Sequence, residues 1–150
     1  MFRRLALGAA CAFALAGCEV PVMMAASANQ GEMTGMFEIT FPAVLLIQVD
    51  DGSEEFLEGE LRGHISGSSE FDLTGPTYGD CSGFMSREGS MEMTCSGGVT
   101  MAAEYGPQRA QMSGVRVQTG SVMGFDYISA FGWGNLATED AVREAIASGA

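Results

Sequence analysis

Beyond residue 32, hydrophobic and polar positions alternate along most of the chain. Met33, Gly35, Phe37, Ile39 and Phe41 interleave with Thr34, Met36, Glu38 and Thr40, the period of two of a half-buried strand. Leu57, Gly59, Leu61, Gly63 and Ile65 repeat it against Glu58, Glu60, Arg62, His64 and Ser66, and Phe71 and Leu73 continue it. Between the first two runs, VLLIQV at 44–49 is apolar on both faces, which predicts a strand covered on its second side. Turn signals recur at short intervals: DDGS, SGSS, TGPTYGD, REG, SGG, YGPQR and QTGS. The expected fold is mainly β, an antiparallel meander of about eight or nine strands forming a small barrel or a sandwich.

After Gly134 the period changes. Thr138 can cap a helix whose first turn carries Glu139 and Asp140, with Val142, Ala145 and Ile146 on one face and Gly149 at its end. So short a helix is unstable alone and should dock on the sheet. Residues 44–49 offer the apolar surface for it.

The stretch CSGFMSREGSMEMTC, residues 81–95, tests a register. With Arg87, Glu88 and Gly89 as a three-residue hairpin loop, Ser86 faces Ser90 and Cys81 faces Cys95. Gly83 and Met85 then stand opposite Met93 and Met91 on one apolar face. A second loop at Ser96, Gly97 and Gly98 sets Val99 against Cys95, Met101 against Met93 and Ala103 against Met91. A slip by one residue would invert the middle strand. The register predicts buried methionines and a Cys81–Cys95 disulfide rather than a copper(I) site, which needs exposed thioethers and free thiols.

The first 18 residues place Arg3 and Arg4 before the apolar run LALGAACAFALA, a signal-peptide pattern too short to span a bilayer. It ends in Leu15-Ala16-Gly17-Cys18, which resembles the lipobox of bacterial lipoproteins; the resemblance covers the export signal alone. It implies diacylglyceryl transfer to the Cys18 thiol, cleavage between Gly17 and Cys18, and acylation of the new N-terminus. It also implies an oxidising compartment, where a disulfide persists. Glu19 stands where the enteric inner-membrane retention signal has Asp, which favours the outer membrane. Residues 1–17 then form the signal peptide, 18–32 a lipidated flexible tether with a reach of about 20 Å, and 33–150 a single β-rich domain.

Without the signal peptide, five arginines and no lysine face nineteen carboxylates, a formal charge of −14. Such a surface repels nucleic acid and anionic headgroups, so the membrane partner is reached through the lipid on Cys18. His64, the only histidine, falls on the polar face, and no histidine-aligned serine or cysteine nucleophile can be identified. The carboxylates of DDGSEEFLEGE miss the spacing of a calcium loop and read as a solvated hairpin tip. Phe125, Tyr127, Phe131 and Trp133 could line a ligand groove, but the first three have the parity of an inner face. The sequence thus predicts a non-enzymatic, lipid-anchored envelope protein without catalytic residues, metal or cofactor, in a structural or binding role. Two alternatives are an inhibitor of a cationic enzyme such as lysozyme, through a protein partner in the envelope, and a carrier of an apolar ligand.

Overall fold

The computed structural model describes residues 19–107, 109–122 and 124–149. Residues 1–18, on which the expected signal peptide and Cys18 fall, lie outside the described residues. A helix α1 (Glu19–Ala28) precedes nine strands: β1 (Glu32–Gly35), β2 (Glu38–Val49), β3 (Glu54–His64), β4 (Ser69–Gly75), β5 (Gly79–Met85), β6 (Ser90–Cys95), β7 (Thr100–Glu104), β8 (Gly114–Val122) and β9 (Phe125–Trp133). A 3-10 turn (Gly134–Leu136) leads into α2 (Glu139–Ser148). Every paired strand is antiparallel, in the order β7-β6-β5-β4-β3-β2-β9-β8, with β1 paired to β2. The outer strands β7 and β8 come side by side, so the sheet is a nearly closed barrel.

The meander predicted for residues 81–103 forms in the predicted register. Cys81 pairs with Cys95, Gly83 with Met93 and Met85 with Met91; Met93 and Met91 in turn pair with Met101 and Ala103. Gly89 and Gly98 supply the left-handed residues of the two turns, at φ 101° and 85°. Cys81 and Cys95 are disulfide-bonded. Met91, Met93 and Met101 are buried with Leu45, Leu57 and Leu73 in the barrel interior. Phe71 and Phe131 meet edge-on there at 5.2 Å. Gly83 is required because a Cβ would strike the Phe71 ring and the Glu92 carbonyl.

Residues 44–49 are covered on their second side, as their pattern predicts. Val44 and Leu46 turn outward and pack with Ala130 and Val142 beneath α2. Thr138 caps that helix by accepting a hydrogen bond from the Ala141 N–H at 3.3 Å, and Gly149 ends it at φ 66°. Arg143 fastens it to the barrel, donating from Nη1 to Glu54 Oε2 at 2.9 Å and from Nη2 to Glu54 Oε1. These bonds, with one from Gln48, lower the Glu54 carboxyl from about 4.5 to about 2. A depressed carboxyl contributes stability above its unfolded value, and that contribution disappears as pH falls from about 4.5 to about 2. In Arg143→Ala, carboxylate NMR should show the Glu54 midpoint moving up toward the ordinary value.

Three expectations are corrected. Residues 33–41 are not one strand: the chain reverses at Met36 and Phe37, giving the β1–β2 hairpin, and β2 then runs unbroken through Pro42 to Val49. Pro42 is tolerated because pairing with β9 begins only at Ala43, so one side is free there. Residues 19–28 are helical where an irregular tether is expected. Their composition is apolar all round, so no helical period shows, yet Ala26 is buried and the Ala28 carbonyl accepts from Asn135 Nδ2 at 2.8 Å. Finally, the acidic 50–60 segment is not simply a solvated tip. Glu55 is buried, and its Oε1 accepts the backbone N–H groups of Thr77 and Tyr78 at 2.8 and 2.9 Å. Glu55 shares the parity of Leu57 and Leu61, the signal that places it inside.

Candidate functional site: a cavity at the open end of the barrel

The two ends of the barrel differ. One is closed by the disulfide, by Glu55 capping the turn after β4, and by Val99 and Val122. At the other, where β2, β4, β6 and β8 begin, the interior opens into a cavity of about 340 Å³. That is the low end of the range of small-molecule sites. Its deeper wall is made of buried side chains, Phe41, Leu61, Met85 and Trp133. Ile39, Gly63, Val22 and Met112 extend the apolar lining outward.

Part of the rim is apolar and exposed. Met36 and Phe37, at the tip of the β1–β2 hairpin, are 81% and 62% exposed, and Ile65, just past β3, is 80% exposed. Alternation predicts Phe37 and Ile65 on an inner face. Both lie at strand ends, where the barrel wall stops and no facing strand covers them. Val22 of α1 lines the same mouth.

Gly63 leaves room in the wall. A Cβ there would meet only ordinary contacts, the Ile39 carbonyl oxygen at 3.7 Å and Phe41 Cε2 at 3.9 Å. Gly59, four residues earlier on the same strand face, is occluded because a Cβ would collide with the Asp72–Leu73 backbone. Two glycines of the same parity on β3 therefore do different things. Gly59 lets two strands approach, and Gly63 keeps the cavity open.

Trp133 ends β9 at the cavity wall. Its Nε1 donates to the Gln111 carbonyl at 3.0 Å, its carbonyl accepts from Ser113 Oγ at 3.1 Å, and its ring lies against Gly114. Arg116 lies over two aromatic rings, its guanidinium carbon 4.3 Å from the Tyr105 centroid and 5.6 Å from that of Trp133. Such contacts favour the cation. Burial pulls Arg116 below its ordinary value and pushes Tyr105 above its own, while the Tyr105 contact works to keep the guanidinium charged. Arg109 and His64 also line the cavity, the latter with Nδ1 3.8 Å from Glu38 Oε2.

The sequence-derived candidates separate in space. Cys81 and Cys95 sit at the closed end, away from the cavity; Met93 is buried two residues from Cys95, and Met91 is buried toward the other end of β6, opposite Met85. Of the aromatic run, Trp133 lines the cavity, Phe131 and Tyr127 belong to the core, and Phe125 is exposed because it pairs with Val122 at the tip of the β8–β9 hairpin. His64 reaches the mouth with no nucleophile bonded to it among the described residues, and Cys18 lies outside them. Arg116 and Gly63 are the residues that sequence reasoning misses. For Arg116 a signal exists: it has the parity of Gln118, whose Nε2 reaches Met91 Sδ across the interior at 3.7 Å. Among the described residues no group of three or more His, Cys, Asp or Glu side chains could hold a metal ion. Compared with known protein families, with characterised proteins and with solved structures, the chain matches none.

Proposed function

We propose that this chain is a non-enzymatic, lipid-anchored envelope protein whose barrel takes up an apolar ligand through its open end. The observation that carries the reading is the cavity of about 340 Å³, whose deeper wall is made of buried side chains and whose rim includes exposed Met36, Phe37 and Ile65. An exposed apolar cluster around a concave site favours a hydrophobic guest. Of the structural and carrier roles that the sequence leaves open, the cavity favours the carrier.

Anchoring rests on Leu15-Ala16-Gly17-Cys18. Cys18 directly precedes α1, and Val22 lies one helical turn further on, at the cavity mouth. Acyl chains on Cys18 would hold that mouth close to the bilayer, the source of apolar guests. Growth with labelled palmitate should label the wild-type protein and leave Cys18→Ala unlabelled. Equal labelling of the two would remove the anchor from the account.

The cavity itself is tested by filling it. Gly63→Leu places a side chain where there is room, in a strand where glycine costs about 0.5–1 kcal/mol relative to alanine, so the variant should be no less stable than wild type. Native mass spectrometry of protein purified from envelopes should show a bound amphiphile on wild type and little on Gly63→Leu. Equal occupancy of the two proteins would place the ligand elsewhere.

A further inference from the structure

We propose that the guest is an anionic single-chain amphiphile, with a carboxylate or phosphate head held at Arg116 and Arg109 and its chain in the cavity. The inference rests on the reading of the cavity as a ligand site and names the chemistry of its ligand. Two observations carry it. The first is the placement of positive charge. A chain with nineteen carboxylates keeps five arginines once its signal peptide is removed, and two of them, Arg109 and Arg116, line this one cavity. A third, Arg87, lies against Gly67 at the same rim. In a protein so acidic, three arginines at one end make a local concentration of positive charge that suits an anion.

The second is the setting of Arg116. It projects from β8 with the inward parity of Gln118, into the mouth of a mostly apolar barrel. A charged group there costs desolvation that a hydrophobic plug of similar volume would not. Contacts with the Tyr105 and Trp133 rings, 4.3 and 5.6 Å from the guanidinium carbon to their centroids, hold Arg116 at the mouth before any guest arrives. A fixed guanidinium in a half-buried site binds carboxylate or phosphate more strongly than one in water does. Among the described residues Glu38 is the one carboxylate lining the cavity, and it is engaged by Thr34 Oγ1 at 2.7 Å and by His64. The volume, at the low end for ligand sites, suits one acyl chain better than two.

The test uses envelopes containing the full protein and three photoactivatable probes of equal chain length: a fatty acid, an alkyl phosphate and a fatty alcohol. Cross-linked peptides are mapped by mass spectrometry. At least one anionic probe should label the peptides containing residues 33–41 or 109–116 about tenfold more than the alcohol does, the expected scale for a charge-assisted contact. Which anion shows the preference identifies the head. Arg116→Met, which keeps an apolar stem against the two rings, should reduce that preference to near unity while the alcohol still labels. Arg109→Gln, in an exposed loop and so without consequence for folding, should reduce it in part. Arg62→Met should leave it unchanged, because Arg62 bonds Asp72 on the outer face. A purely structural Arg116 would alter labelling by all three probes alike. Equal labelling by acid, phosphate and alcohol in wild type, or a preference that survives Arg116→Met, overturns the anionic head and leaves the cavity reading standing. No labelling of these peptides by any probe overturns the cavity reading, and the inference with it.

Discussion

Replacing Met93 with alanine should lower the unfolding free energy by about 2–5 kcal/mol, the usual cost of truncating a buried methionine. Met93 is 1% exposed, at the centre of β6, with Met101 beside it on one neighbouring strand and Gly83 on the other. Gly83 has no side chain to move into the void, and the Phe71 ring already occupies the space above it. The site therefore has little means of collapsing. Met36→Ala is the internal control: at 81% exposure on a hairpin tip it should stay within about 0.5 kcal/mol of wild type. Denaturant melts of both variants, compared at constant m-value, give the answer. A Met93→Ala protein that melts like wild type would mean that the β5–β6–β7 register is wrong.

Removing the disulfide should cost about 3 kcal/mol, the chain-entropy value for a loop of this length, and less if the hairpin is already partly formed in the unfolded chain. Cys81 and Cys95 are directly opposed across β5 and β6, so the link constrains one hairpin and not the closure of the barrel. Intact mass after alkylation should show two modified thiols only when reduction precedes alkylation. Because the disulfide sits at the closed end, the double variant Cys81→Ala, Cys95→Ala should lose stability and keep its cavity. A loss of ligand equal to that of Gly63→Leu would tie the two ends together in a way the fold does not suggest.

The legible parts of this sequence are those where local chemistry and periodicity agree. The β5–β6–β7 meander could be read because its glycines stand where turns need left-handed residues and its polar and apolar faces separate cleanly. Helix α2 could be read from its cap, its acidic first turn and Gly149. Helix α1 could not, because a helix of valine, methionine and alanine with exposed apolar faces has no period to detect. The hairpin at Met36 and Phe37 was hidden for the opposite reason, since alternation continues through its turn as if the strand did. The cavity escapes any reading by pattern. Gly59 and Gly63 are equivalent in the sequence, and only the neighbouring strand decides that one is filled and the other is open. Arg116 is a charged residue at an inward position, a break in the alternation that gains meaning once Tyr105 and Trp133 are beside it.

The chain's single tryptophan reports on the central claim, because Trp133 lines the cavity. Bromine quenches indole fluorescence only at close approach, so a single-chain amphiphile brominated along its tail, added to the full protein in lipid vesicles, reads occupancy of this one site. Saturable quenching of Trp133, relieved by the unbrominated amphiphile and absent in Gly63→Leu, is the result that uptake through the open end predicts. Quenching that rises linearly without saturation, or that is equal in Gly63→Leu, would contradict it.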